Sequence, residues 1–165
     1  MKKESLQKKI VREFSSRGIT LATAESCTGG LIAKLLTDIP GSSSVLLGGC
    51  VTYTNDVKIN LLGVDPAIIE RDTEVSHACA KAMARGARER IGACMGVSTT
   101  GYAGPGGGTD RDPVGTVYIA VSTKACTVGE RFSAPVGASR VQVRNAAAQR
   151  ALELVLSLAE NPNNL

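Results

Sequence analysis

Ile19-Thr20-Leu21-Ala22-Thr23-Ala24-Glu25-Ser26-Cys27-Thr28-Gly29-Gly30-Leu31-Ile32-Ala33-Lys34-Leu35-Leu36 is the stretch on which the fold turns. Ile19, Leu21 and Ala22 read as a buried strand. Leu31, Ile32, Leu35 and Leu36 recur at helical spacing. Between them lie two hydroxyls, a thiol and two glycines, so Ser26 stands at a strand end beside a helix N-terminus. Such a terminus has unpaired N–H groups and a positive partial charge. It suits a phosphate or a developing oxyanion. The plainer reading is that Thr28 is an N-cap and that Gly29 and Gly30 allow a tight turn.

Outward from this point, strands and helices alternate. Residues 4–16 read as an amphipathic helix with Leu6, Ile10, Val11 and Phe14 on one face, ended by Arg17-Gly18. The helix after Ser26 runs to about Asp38, and residues 39–44 read as a loop. Val45–Thr54 is β-like. Asn55-Asp56 caps a short helix carrying Lys58, Leu61 and Leu62, which Gly63 closes. Asp65-Pro66 opens another short helix, and Ser76 caps a longer one to about Arg90. Cys94–Thr99 reads as a buried strand running into the Gly-rich loop 100–108. Residues 114–123 and 127–132 form a hairpin. The last helix spans 139–158, with Ala147, Ala151, Leu154, Val155 and Leu158 inward, and the tail 161–164 frays. The pattern predicts one domain over residues 1–165, an α/β sandwich with a mostly parallel sheet and one antiparallel strand. In such sheets ligands bind at the carboxyl ends of strands. Ser26, Tyr53 and Thr100 all fall near such ends.

Composition narrows the function classes. The net charge of +4 is mild, and no basic run with interleaved aromatics argues for nucleic acid. Arg85, Arg88 and Arg90 read as a solvated helix face. The five cysteines include no Cys-x-x-Cys pair, and no apolar run reaches transmembrane length. This suits a reduced, cytoplasmic protein in which the cysteines act as small hydrophobes. Cys27, beside Ser26, is the one to watch. The only histidine, His77, lies in the first turn of a helix with no obvious carboxylate partner, so a serine–histidine triad is poorly served. One histidine and unpaired cysteines supply too few ligands for zinc, so no metal is expected. Nothing matches a Walker loop or a dinucleotide fingerprint. A lysine base remains. Lys58 follows Tyr53 by five residues, and a desolvated lysine beside a hydroxyl can accept its proton, with Tyr53 relaying it. The opposing reading makes Lys58 a solvated helix residue.

At Ala24-Glu25-Ser26-Cys27-Thr28-Gly29-Gly30 the chain resembles the CinA C-terminal domain family, the nicotinamide-nucleotide amidases. The resemblance continues through Val51-Thr52-Tyr53-Thr54-Asn55 with Lys58. It resumes at Thr100-Gly101-Tyr102-Ala103-Gly104-Pro105 and at Pro113-Val114-Gly115-Thr116-Val117, and ends at Arg140 and Val143-Arg144. It implies a three-layer α/β/α sandwich with a mixed sheet. The implied reaction hydrolyses the carboxamide of nicotinamide mononucleotide to nicotinate mononucleotide and ammonia, as in pyridine nucleotide salvage, with no cofactor. It implies Ser26 as nucleophile, Lys58 and Tyr53 as its activators, and Thr100 with Gly101 in the same pocket. Arg140 and Arg144 are implied for the phosphate or for ordering the site. Thr28, Gly29 and Gly30 would offer backbone N–H groups to the oxyanion or to the phosphate. Two departures bear on substrate: Ala138-Ser139 stands where a Gly-Asp pair is usual, and Tyr102 where a smaller aliphatic residue is common. Larger relatives carry a further N-terminal domain, and this chain reads as the stand-alone form. The competing readings are a non-catalytic nucleotide-binding module and, tied to the family's competence and damage-inducible label, a DNA-binding protein. The expected partner is a small nucleotide, not nucleic acid or membrane. A homo-oligomer stays open, through an Ala-rich face around Gly86 on helix 76–91.

Overall fold

The computed structural model describes residues 4–165. Helix α1 (Leu6–Arg17) leads into β1 (Leu21–Glu25), α2 (Leu31–Thr37) and β2 (Leu46–Val51). Helices α3 (Asn55–Leu62), α4 (Pro66–Asp72) and α5 (His77–Ile91) follow. Then come β3 (Met95–Gly101), β4 (Thr116–Ser122), β5 (Thr127–Ser133) and α6 (Arg140–Glu160). The sheet order is β2-β1-β3-β4-β5. β1 pairs parallel with β2 and β3, whereas β4 pairs antiparallel with both β3 and β5. Four strands therefore run one way and β4 alone runs against them, as the alternation of elements predicted.

Helices cover both faces, which makes the three-layer sandwich. On one side α1, α2 and α6 pack Ile10, Phe14, Ile32, Leu36 and Leu152 against Leu21, Met95, Val97 and Ile119. On the other, α5 and its neighbours bring Cys79, Met83, Ala87 and Leu62 onto Ala22 and Ala24. Period-2 alternation along each strand sends successive side chains to the two layers. Where α5 crosses β3 the residue is Gly96, and a Cβ there would run into Ala84 O and Arg88. Gly86 meets Leu62 of α3 in the same way. The small-residue face of α5 around Gly86 thus packs against α3 within the chain.

Local differences from the sequence reading have plain causes. Thr54, not Asn55-Asp56, caps α3, its hydroxyl accepting from Val57 N. Residues Ser42–Ser44 close a 3₁₀ turn rather than a plain loop. The tail forms a second one at Pro162–Asn164, tied down by Asn164 Nδ2 donating to Leu158 O at 3.2 Å. On α6 the buried stripe is Val143, Ala147, Ala148, Ala151, Leu152, Val155, Leu156 and Ala159, whereas Leu154 and Leu158 are only half-buried. No helix among the described residues is long and apolar enough to cross a membrane.

Candidate functional site

The carboxyl ends of β1, β2 and β3 lie at one edge of the sheet, because all three are parallel and in close register: Glu25 opposes both Val51 and Thr99. The next residues, Ser26, Thr52-Tyr53 and Thr100, are thereby brought together. Ser26 N donates to Thr99 O at 2.9 Å, extending the ladder past the end of β1. The chain then turns sharply, with Gly29 N donating to Ser26 O at 3.1 Å. Gly29 and Gly30 both have positive φ, 59° and 93°, which the turn requires.

The helix N-terminus beyond the turn is already filled. Glu25 is fully buried. Its Oε2 accepts from Gly30 N at 3.1 Å and Ile32 N at 3.0 Å, and its Oε1 from Ala33 N at 3.0 Å. Thr28 Oγ1 also donates to Oε2, at 2.7 Å. With that proton committed, the 2.7 Å contact between Thr28 and Thr99 hydroxyls must have Thr99 as donor. A side-chain carboxylate thus takes the place sequence reasoning reserved for an oxyanion or phosphate. Gly29 and Gly30 have their N–H groups engaged within the protein, and Thr28 to Gly30 do not line the cavity. Among the described residues the N–H groups of Cys27 and Thr28 make no hydrogen bond.

Lys58 is 1% exposed, which overturns the solvated reading of this lysine. From α3 its Nζ reaches Ser26 Oγ at 3.2 Å and Thr52 O at 3.0 Å. Burial pulls its pKa below the ordinary lysine value, more strongly than nearby Cys79, Glu74 and Cys27 hold it up. This is the environment in which an amine can serve as a base. Cys27 is the opposite case: burial pushes its thiol up to about 12, so it is no thiolate near neutrality.

Ser26 and Lys58 open onto a cavity of about 160 Å³, also lined by Tyr53, Glu74, Thr100, Gly101, Tyr102 and Arg140. Tyr53 is 57% exposed and sits at the rim. Its hydroxyl accepts from Arg140 Nη2 at 2.8 Å and bonds to neither Ser26 nor Lys58, contrary to the relay expected of it. Arg140 Nη1 donates to Gly104 O at 2.7 Å. Ser139 caps α6 in a capping box with Gln142, and Arg140 has no carboxylate partner among the described residues, so its charge is uncancelled. Arg144 lies outside the cavity. It braces the turn, donating to Cys27 O at 3.0 Å and Thr28 O at 2.9 Å. Thr100 Oγ1 donates to Glu74 O at 2.7 Å. Gly101 is needed because a side chain would strike Val117 and Thr116 of β4. His77 stands away from the site, edge-on to Tyr118 with ring centroids 4.7 Å apart.

Sequence reasoning missed two acids. Glu25 carries a readable signal, a charged residue ending an apolar strand six residues before a helix. Glu74, in the loop before the Ser76 cap, carries none.

Fold and site together define a three-layer α/β/α protein with a buried serine–lysine pair at the carboxyl edge of its sheet. The chain belongs to the CinA C-terminal domain family, whose model matches residues 3–159. It is 51% identical over 138 residues to a CinA-like protein of Chlorobaculum tepidum, covering 84% of this chain and 30% of that one. A CinA-like protein of Myxococcus xanthus is 50% identical over 147 residues, covering 88% and 34%. The chain thus spans about a third of the length of the curated relatives it matches. Among solved structures it is similar to a competence/damage inducible protein, CihA, of Agrobacterium tumefaciens. That match has 40% identity and a TM-score of 0.89, covering 93% of each chain. A competence damage-inducible protein A (ComA) of Klebsiella pneumoniae gives 31% identity and a TM-score of 0.90, covering 94% of this chain and 96% of that one.

Proposed function

We propose that this protein is a serine amidase acting on the carboxamide of nicotinamide mononucleotide. The observation that carries the reading is the 3.2 Å contact between Ser26 Oγ and a buried Lys58 Nζ of lowered pKa. In its neutral form Lys58 takes the Ser26 proton as Oγ attacks the amide carbon. The N–H of Cys27, unpaired and directly after the nucleophile, is the natural donor to the oxyanion. Lys58 then gives its proton to the departing nitrogen, which leaves as ammonia. Water, deprotonated by Lys58, cleaves the acyl-serine ester and restores Ser26. Arg144 fixes the turn that carries Ser26 through the two carbonyls it binds.

The cavity is smaller than the roughly 300–1,000 Å³ of pockets that bury a whole drug-sized ligand. It suits an aromatic amide ring. The ribose phosphate then extends past the rim, where Arg140 offers an uncancelled guanidinium. Arg140→Ala is expected to raise KM for the mononucleotide about tenfold to a hundredfold, the range of a lost charge-assisted contact. The change in kcat should be small, and steady-state kinetics on the purified variant check this.

The test of the reading is ammonia release from nicotinamide mononucleotide, with nicotinate mononucleotide quantified by anion exchange. Equal amounts of the two products support it. Tight binding of the nucleotide with neither product formed replaces it with a non-catalytic nucleotide-binding module.

A further inference from the structure

Among the described residues Glu74 is the one acidic residue lining the cavity that holds Ser26, Lys58, Thr100, Tyr102 and Arg140. Its carboxylate makes no hydrogen bond and no ion pair among the described residues, although two cationic side chains line the same cavity. The backbone beneath it is held firmly. Glu74 O accepts from Thr100 Oγ1 at 2.7 Å. Ser76 Oγ donates to Thr73 O at 3.0 Å, and Thr73 Oγ1 bridges Val75 N and Val75 O at 3.3 and 3.2 Å. Thr73 has φ of 72°, the only non-glycine positive φ among the described residues. A β-branched residue takes that conformation only when its surroundings impose it, and such outliers gather at ligand sites. A half-buried residue with an unpaired carboxylate is thus carried on a firmly held backbone at the wall of a small cavity.

We infer that Glu74 is a specificity-determining residue that selects a cationic ring, the pyridinium of an oxidised nicotinamide nucleotide, over neutral aromatic amides. The inference rests on the amidase reading, which puts the scissile carboxamide at Ser26 and hence the ring inside the cavity. The quaternary ring nitrogen carries a full positive charge, and a half-buried carboxylate at the cavity wall attracts it more than the same charge in bulk water would. Glu74 and Arg140 divide the recognition: the acid faces the cationic ring, the guanidinium faces the anionic phosphate. Placing opposite charges at the two ends also fixes which way the nucleotide enters. Burial raises the pKa of Tyr102 and the charge of Glu74 adds to that rise; with Cys79, Glu74 also opposes the fall that burial imposes on Lys58.

The test is titration calorimetry on Ser26→Ala, which binds without turnover, and on Ser26→Ala/Glu74→Gln. The probes are nicotinamide mononucleotide and its dihydropyridine form, which keeps the ribose phosphate and loses the ring charge. The expected result is a preference of about tenfold or more for the charged ring in Ser26→Ala. Glu74→Gln should abolish that preference and leave the affinity of the reduced form unchanged, which also reports an intact fold. Equal weakening of both forms, or of neither, overturns the inference. A second pair of probes, 1-methylnicotinamide and nicotinamide, carries the same charge contrast without ribose phosphate. If the mononucleotides do not bind at all, the nucleotide reading falls. A Glu74-dependent preference for the methylated cation still upholds the role of Glu74, and no preference refutes it.

Discussion

Lys58→Met is expected to cut amide hydrolysis steeply while making the protein more stable. Methionine matches the length of the lysine stem and fills most of the same space, but it removes the amine that contacts Ser26 Oγ. The expected fall in kcat/KM is roughly 10²–10⁴-fold, the usual contribution of a positioned general base. Stability should move the other way. Lys58 is fully enclosed, and its lowered pKa states that burial disfavours the charged form. Replacing a buried amine that has no ion-pair partner among the described residues with an apolar side chain removes this desolvation cost, and the gain is reduced because Thr52 O loses a donor. The two effects share one pH dependence. The folded pKa lies below the unfolded one, so the cost of the charge is complete at pH below the folded value. It fades as pH rises from there toward the ordinary 10.5. The stability gap between variant and wild type should narrow over that window. Wild-type kcat/KM should rise with pH to a plateau, its inflection below 10.5. Thermal melts and rate profiles across the same buffers measure both.

Glu25→Ala is the substitution expected to damage the fold most. It strands three backbone N–H groups, of Gly30, Ile32 and Ala33, and the hydroxyl of Thr28, with Thr28 and Ile32 buried and Gly30 and Ala33 half-buried. At about 1–3 kcal/mol for each stranded group, a loss of at least about 3 kcal/mol in unfolding free energy follows, even if some find water. Denaturant titration reads it directly. Glu25→Gln should lie between the two, because its amide keeps one acceptor oxygen and turns donors toward donors. Activity should fall with stability in both variants, since the turn that carries Ser26 is built on this carboxylate.

The sequence pattern reached the sheet, its single reversed strand and the gathering of Ser26, Tyr53 and Thr100 at one edge, because period and topology dictate these. The Ser26–Lys58 contact joins residues 32 apart through a strand and a helix. No local pattern contains it, and the residue types alone left Lys58 open between base and surface lysine. The hydrogen-bond partners were the least legible. Ser26 beside a helix start suggested an anion site, but the anion that occupies it is the preceding side chain. Tyr53 reaches the cavity rim, whereas Arg144 lies outside the cavity. Yet Tyr53 holds Arg140 rather than Lys58, and Arg144 holds carbonyls. Which acceptor a flexible side chain finds depends on how far each element projects, and a chain read in one dimension does not carry that.

On the proposed reading, Ser26 Oγ is the nucleophile of an amidase. The most direct measurement compares ammonia release from nicotinamide mononucleotide by wild type and by Ser26→Ala, with melting curves confirming that both are folded. Turnover by wild type is expected, with a fall of more than about 10³-fold in Ser26→Ala at unchanged thermal stability. Turnover by the folded Ser26→Ala protein at a rate near wild type would contradict it.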